Sequence, residues 1–231
     1  MNIVVNGGTR GIGKEIVLVL AKKKSNRILV TGRNQSALKQ LSRSVVSGNI
    51  FTFPIDMTLF DDHERSFIEA VKSYFASVDI LINTAGILVS KDFMDFATYE
   101  ARMMMETNFF GPAALIRSLQ PMMKKASHIV NITSMGGFQG SSKYRGLSYY
   151  SASKAALSCL SECLAEEFRE AGIVVNCLAL GSVQTEMLEE AFPGYKAPVK
   201  AMEIAELIVD FAIKGNKFYN GRIIPVAFSN P

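Results

Sequence analysis

Short runs of branched apolar residues alternate with longer stretches of helical periodicity from one end of the chain to the other. Strands are predicted at Ile3–Asn6, Arg27–Thr31, Ile50–Ile55, Asp79–Asn83, His128–Thr133, Ile173–Ala179 and Arg222–Ala227. Helices are predicted near Ile12–Lys24, Gln35–Val46, Asp61–Phe75, Tyr99–Lys125, Tyr149–Ala171 and Ala201–Ile213. The strand runs are continuously apolar, the pattern of a parallel sheet covered on both faces. Strand–helix alternation with short connections predicts an α/β fold built on a doubly wound parallel sheet. No linker, repeat or low-complexity segment interrupts the pattern, so residues 1–231 are expected to form a single domain.

Composition narrows the function classes. The chain has 231 residues, 48% hydrophobic and 20% charged, ordinary for a soluble enzyme with a sizeable core. A net charge of +4 is mild, and the Lys22-Lys23-Lys24 cluster sits where a helix would end and complements its dipole. No nucleic acid partner is expected. No apolar run approaches a membrane span, and Met1-Asn2-Ile3-Val4-Val5 already reads as a strand, leaving no room for a leader peptide. A cytoplasmic protein with no membrane partner is the expectation. Cys159, Cys163, Cys177, His63 and His128 lack the spacing of a disulfide framework or a metal centre and are expected to be structural.

The first strand runs into Asn6-Gly7-Gly8-Thr9-Arg10-Gly11-Ile12-Gly13, which opens a helix. Glycines there permit tight turning and close approach of a ligand, and the N–H groups and dipole of the helix start favour a phosphate. The turn is neither a P-loop nor a Gly-x-Gly-x-x-Gly fingerprint. The second strand ends Val30-Thr31-Gly32-Arg33-Asn34. In a doubly wound fold this tip lies beside the adenosine ribose, where an acidic residue suits NAD. Here Arg33 and Arg10 suit a 2′-phosphate instead, so NADP(H) is the expected cofactor. Near the middle, Tyr150 and Lys154 stand four residues apart, on one helix face. A neighbouring ammonium lowers a phenol's pKa from its usual value of about 10, which would let Tyr150 exchange a proton with a substrate oxygen.

Taken together, these motifs resemble the short-chain dehydrogenase/reductase family over essentially the whole chain. Gly7, Gly11 and Gly13 match its Thr-Gly-x-x-x-Gly-x-Gly turn, with Asn6 in place of threonine. Asp56 matches the residue that caps the adenine amino group, and Asn83-Thr84-Ala85-Gly86 resembles Asn-Asn-Ala-Gly. Asn108 matches the mid-helix asparagine that bridges the active-site lysine to a water, and Asn131-Ile132-Thr133-Ser134 delivers the serine. The resemblance implies a Rossmann-type fold of about seven strands and a catalytic set of Asn108, Ser134, Tyr150 and Lys154. It implies cofactor contacts from Gly7, Thr9, Arg10, Gly11, Ile12, Gly13, Arg33, Asp56, Met57, Asn83, Ala85, Gly86, Tyr150, Lys154, Gly181, Val183 and Thr185. It also implies a homodimer or homotetramer.

Four departures qualify the match. Gly140–Ser148 lengthens the Ser134-to-Tyr150 spacing, Leu180 replaces a proline before Gly181, a short substrate lid is expected over residues 182–200, and the chain ends Phe228-Ser229-Asn230-Pro231 without the usual Gly-Gly. Tyr144 and Tyr149 compete with Tyr150, but each has serine four residues on. The expected activity is NADPH-dependent reduction of a small-molecule ketone or aldehyde, or the reverse oxidation of an alcohol. A 3-oxoacyl-thioester reductase is one alternative, and a non-catalytic NADP-sensing regulator is another.

Overall fold

The cores of the strands Asn2–Asn6, Arg27–Gly32, Val78–Asn83, Met123–Ser134 and Val174–Leu180 are largely β-branched or aliphatic and buried on both faces, so they are driven into the middle of a sheet with layers above and below. The computed structural model describes residues 1–228; the C-terminal departure at 229–231 lies outside the described residues. Seven parallel strands are ordered β3-β2-β1-β4-β5-β6-β9. They are β1 (Asn2–Asn6), β2 (Arg27–Gly32), β3 (Ile50–Pro54), β4 (Val78–Asn83), β5 (Met123–Ser134), β6 (Val174–Leu180) and β9 (Ile223–Val226). A two-stranded parallel ribbon, β7 (Val183–Gln184) and β8 (Val199–Lys200), lies apart from this sheet.

Side-chain alternation divides the interior in two. Ile3, Val5, Ile28, Val30, Ile80 and Ile82 face α1 (Gly11–Ala21), α2 (Gln35–Ser44) and α8 (Ala201–Lys214). Val4, Leu29, Leu81, Ile129 and Val175 face α3 (Phe60–Tyr74), α5 (Gly111–Leu119) and α6 (Ser148–Glu167). The chain winds outward from β1 to β3, then crosses back to β4, and the reversal opens a crevice at the C-terminal ends of β1 and β4.

One predicted helix is not continuous. The stretch expected at Tyr99–Lys125 divides into α4 (Thr98–Met105), a π-helical turn at Glu106–Phe110, α5 and a short 3-10 turn at Gln120–Met122. Pro112 is the physical cause of the π turn: it has no N–H to give the preceding turn and its ring crowds the carbonyl four residues back. The helix accommodates this by bonding Gly111 N–H to the Glu106 carbonyl, one residue farther than in an α-helix. β5 then begins five residues earlier than its apolar core suggested. Met123 pairs with Val78, a register shift follows with Ala126 at φ 71°, and regular pairing resumes at His128 with Ile80.

Between these elements the β1–α1 connection is closely packed. Gly7 has φ 87°, and a Cβ there would sit 2.5 Å from the Ala85 nitrogen; a Cβ on Gly13 would sit 2.2 Å from the Gly7 carbonyl oxygen and 2.5 Å from Thr84 Oγ1. The Ala85 nitrogen and the Gly7 carbonyl are backbone atoms that cannot give way, so the turn, the start of α1 and the end of β4 form one tight unit. Gly13→Ala is expected to destabilise the fold by about 3 kcal/mol, read as a loss of roughly 8 °C in Tm.

His128, fully buried on β5, ties α8 to the sheet. Its Nδ1 donates to the Ala212 carbonyl at 3.0 Å, and its Nε2 accepts from Asn176 Nδ2 at 3.0 Å. Burial lowers its pKa to about 4 from the ordinary 6.5. The folded value is depressed, so the unfolded chain takes up a proton first as pH falls, and stability is lost between pH 6.5 and about 4. Urea denaturation at pH 5 should show about 2 kcal/mol less stability than at pH 7.5 from this group. A His128→Gln variant should lose that increment of pH dependence.

Candidate active site

The C-terminal edge of the sheet carries polar side chains in adjacent register. Thr31 on β2 pairs with Asn6 on β1, Asn6 with Asn83 on β4, and Asn83 with Asn131 on β5. Their side chains form a hydrogen-bonded chain: Thr31 Oγ1 to Asn6 Oδ1 (3.0 Å), Asn6 Nδ2 to Asn83 Oδ1 (3.3 Å), Asn83 Nδ2 to Asn131 Oδ1 (2.8 Å) and Asn131 Nδ2 to Ser161 Oγ on α6 (2.9 Å). All five residues are buried. Asn6, where the family pattern has threonine, thus supplies both a donor and an acceptor to this chain.

Above this floor lies a cleft of about 1100 Å³. Gly7, Thr9, Arg10, Gly11, Ile12 and Gly13 line it from the first turn; Arg33, Asp56, Met57, Ala85 and Gly86 line it from the ends of β2, β3 and β4. Ser134, Tyr150 and Lys154 line it from β5 and α6, and Gly181, Val183 and Thr185 from the segment after β6. Two of the candidate residues do not reach its surface. Asn83 lies in the floor beneath it, and Asn108 is fully buried behind it.

Asn108 is held on the π turn with its polar atoms engaged. Its Oδ1 accepts from Ile87 N–H at 2.8 Å, and its Nδ2 donates to the Ile87 carbonyl at 3.0 Å and to Ser153 Oγ at 2.9 Å. Ser153 Oγ in turn donates to the Tyr150 carbonyl at 2.7 Å. The side chain therefore fixes the loop after β4 to α6. Ser153 was missed in the sequence; the signal available was its place on the same helix face as Leu157 and Ser161, at four-residue spacing.

Ser134 ends β5; its Oγ accepts from Gly136 N–H at 3.1 Å and is also a hydrogen-bond partner of the Tyr150 phenol. Lys154 Nζ donates to the Ile132 carbonyl at 3.2 Å and stands 5.9 Å from the centroid of the Tyr150 ring. Tyr149 turns the other way, packed between Phe93 and Phe96 at centroid separations of 5.5 and 5.0 Å. Tyr144 does line the cleft, half exposed.

The titration of the pair differs from the sequence expectation. In the protein alone the Tyr150 phenol is raised above its ordinary value of 10, because burial disfavours the phenolate more than the neighbouring Ser134 hydroxyl favours it. Lys154 is brought down to about 8, also by burial. Spacing along a helix sets proximity; desolvation sets the sign here.

Both candidate phosphate-binding arginines already have carboxylate partners. Arg10 pairs with Glu190 at 2.9 Å, and Arg33 with Asp56 at 3.7 Å. Glu190 belongs to α7 (Glu186–Ala191), which Thr185 caps by accepting from Leu188 N–H. Asp56 also caps the turn after β3, accepting from Thr58 N–H and Oγ1 at 3.0 and 2.9 Å. Leu180 has a plain reason for replacing proline: β6 runs through it, paired to Ser134 on one side and Val226 on the other. Among the described residues no helix is long and apolar enough to cross a membrane.

The cleft is of a size for a dinucleotide, the glycine turn leaves no room for a Cβ at its base, and cations stand at its far end. Those features agree with the comparisons. Residues 1–196 match the family model for short chain dehydrogenase. The mouse dehydrogenase/reductase SDR family member 7B is 35% identical over 192 residues, which are 80% of this chain and 58% of that protein. Among solved structures, a short-chain dehydrogenase/reductase from Brucella melitensis superposes with a TM-score of 0.90 at 23% identity, covering 100% of this chain and 96% of that one. ElxO with NADP bound superposes with a TM-score of 0.84 at 25% identity, covering 98% of this chain and 96% of that one. Sheet order, cleft and family match together make this chain an oxidoreductase of the short-chain dehydrogenase family.

Proposed function

We propose that the protein reduces a ketone or aldehyde, or oxidises the corresponding alcohol, with NADP(H) as cofactor and a single domain whose residues 182–200 act as the lid. The observation that carries this reading is the convergence of Ser134, Tyr150 and Lys154 on one wall of a cleft whose other wall is the glycine turn. When bound, NADPH supplies the hydride.

The chain's own residues do the rest. Ser134 hydrogen-bonds the carbonyl oxygen and stabilises the charge that develops on it. Tyr150 donates the proton to that oxygen as the carbonyl carbon becomes an alcohol carbon. Its raised pKa keeps the phenol protonated at neutral pH, the form a proton donor needs. Lys154, poised near pH 8, holds the nicotinamide ribose hydroxyls and returns protons to Tyr150. Asn108 is a positioning residue, acting through Ser153 and Ile87 on both walls. Gly7, Thr9, Gly11, Ile12 and Gly13 take the pyrophosphate; Asp56, Met57, Ala85 and Gly86 take the adenosine half; Gly181, Val183 and Thr185 take the carboxamide. Asn83 supports these contacts from the floor.

NADP(H) over NAD(H) rests on Arg10 and Arg33, the guanidinium groups at the ribose end of the cleft. ElxO, which binds NADP, supports the same cofactor class here. A homodimer or homotetramer through α4–α5 and α6 completes the proposal, with a small-molecule carbonyl as the partner in reaction.

Tyr150→Phe should still bind NADPH in a fluorescence titration while turnover falls by about 10²–10⁴-fold; a variant that keeps its turnover would assign the proton to another group. Arg33→Ala should weaken NADPH binding by about tenfold and leave NADH nearly unchanged. An unaltered NADPH/NADH ratio would remove the 2′-phosphate assignment.

A further inference from the structure

The loops that follow β4, β5 and β6 supply the remaining wall of the cleft. Leu88, Tyr144, Leu147, Met187, Phe192 and Tyr195 line it there, an aliphatic and aromatic surface. Its polar groups include the Ser182 and Tyr195 hydroxyls, and Tyr195 Oη donates to Ser182 Oγ at 3.4 Å. One cation lies on this wall, Arg145, in the inserted stretch before α6.

Arg145, its side chain 85% exposed, already has a carboxylate partner. Its Nε donates to Asp92 Oδ1 at 2.6 Å, and a second guanidinium N–H donates to Asp92 Oδ2, so its planar fork is matched by one carboxylate. The backbone holds the pair in place: Lys91 N–H donates to the Gly146 carbonyl at 3.1 Å. Gly146 has φ 85°, and a Cβ on it would sit 2.9 Å from Ser90 Oγ. The neighbouring cations are engaged too. Lys91 pairs with Glu100 at 2.5 Å, and Lys143 Nζ donates to the Phe138 carbonyl at 2.7 Å.

An anionic substrate entering this mouth would lose its hydration against apolar and aromatic side chains and would have to compete with Asp92 for the cation of this wall. An uncharged carbonyl compound with an apolar or ring-bearing body gains from the same surface. Resting on the reductase reading above, we infer that the substrate is an uncharged apolar carbonyl compound, and that Asp92 is a specificity determinant that disfavours carboxylates by competing with them for Arg145. The insertion is then a selectivity device: it brings an arginine to the mouth already paired.

The test uses two ketones that differ only far from the reacting carbonyl, methyl 4-acetylbenzoate and 4-acetylbenzoate, with NADPH oxidation followed at neutral pH. The wild-type protein should favour the ester by about tenfold or more in kcat/KM. Asp92→Asn frees the Arg145 fork and should raise the acid-to-ester ratio by about fivefold, chiefly through a lower KM for the acid. The double variant Asp92→Asn with Arg145→Gln should return the ratio to the wild-type value, which separates release of Arg145 from mere removal of a negative charge. A wild-type protein that uses the acid as well as the ester overturns the inference. So does an Asp92→Asn protein with an unmoved ratio, or a double variant that keeps the gain. Absence of turnover across a wider panel of ketones would instead overturn the reductase reading on which the inference rests.

Discussion

The structure depends on how a parallel sheet ends. At the C-terminal tips of strands buried on both faces, each chain must turn away into a loop without leaving polar groups unsatisfied. The Thr31–Asn6–Asn83–Asn131–Ser161 chain meets that requirement. Asn6 and Asn83 each take from one strand and give to another, and Asn131 takes from β4 and gives to α6. The chain locks four strands and α6 at the level where the crevice opens. The glycine turn, Ser134 and the Tyr150–Lys154 face therefore sit on a floor whose spacing is set by hydrogen bonds of fixed length. A single asparagine replaced by an apolar residue would leave two neighbours unpaired in a buried setting, a larger cost than the bond itself.

Electrostatics give the cleft a different character from its floor. Arg10, Arg33 and Arg145 each face a carboxylate, from Glu190, Asp56 and Asp92. These pairs are exposed to solvent to differing degrees, and exposed pairs contribute little to stability. Their effect is on what the arginines can do next. Arg10 meets Glu190 through one N–H, whereas Arg145 meets Asp92 through two.

Much of the architecture was legible because its causes are local. Continuous apolar runs such as Ile28–Val30 and Ile80–Ile82 announce buried parallel strands, and the glycines between Asn6 and Gly13 announce a tight turn in which Gly7 and Gly13 leave no room for a Cβ. What was not legible depends on distance or on competition between terms. Lys124 and Lys125 read as a helix end, yet they stand in the early, bulged part of β5, where exposure at the sheet end tolerates charge. The partners of Arg10 lie 180 residues away, and no pattern within a window could supply them. The Tyr150–Lys154 spacing gave the right proximity and the wrong sign of titration, because burial acts on the phenol more strongly than its neighbours do. Tyr149 was separated from Tyr150 by its lack of a lysine; the structure adds that Phe93 and Phe96 hold its ring elsewhere.

The π turn at Glu106–Phe110 has a bearing on how this chain tolerates change in length. A π turn holds one residue more than an α turn over the same rise, so α4 and α5 are out of phase by a single residue. Removing one residue from the turn would let the two helices merge into one regular helix. Asn108 would then be displaced by about 100° around the axis relative to one of its flanks. Its links to Ile87 and Ser153 could not both survive that rotation. The segment is thus sensitive to a deletion where a point substitution on its exposed side, at Phe110, would change little, and its length is as much a part of the site as any side chain it carries.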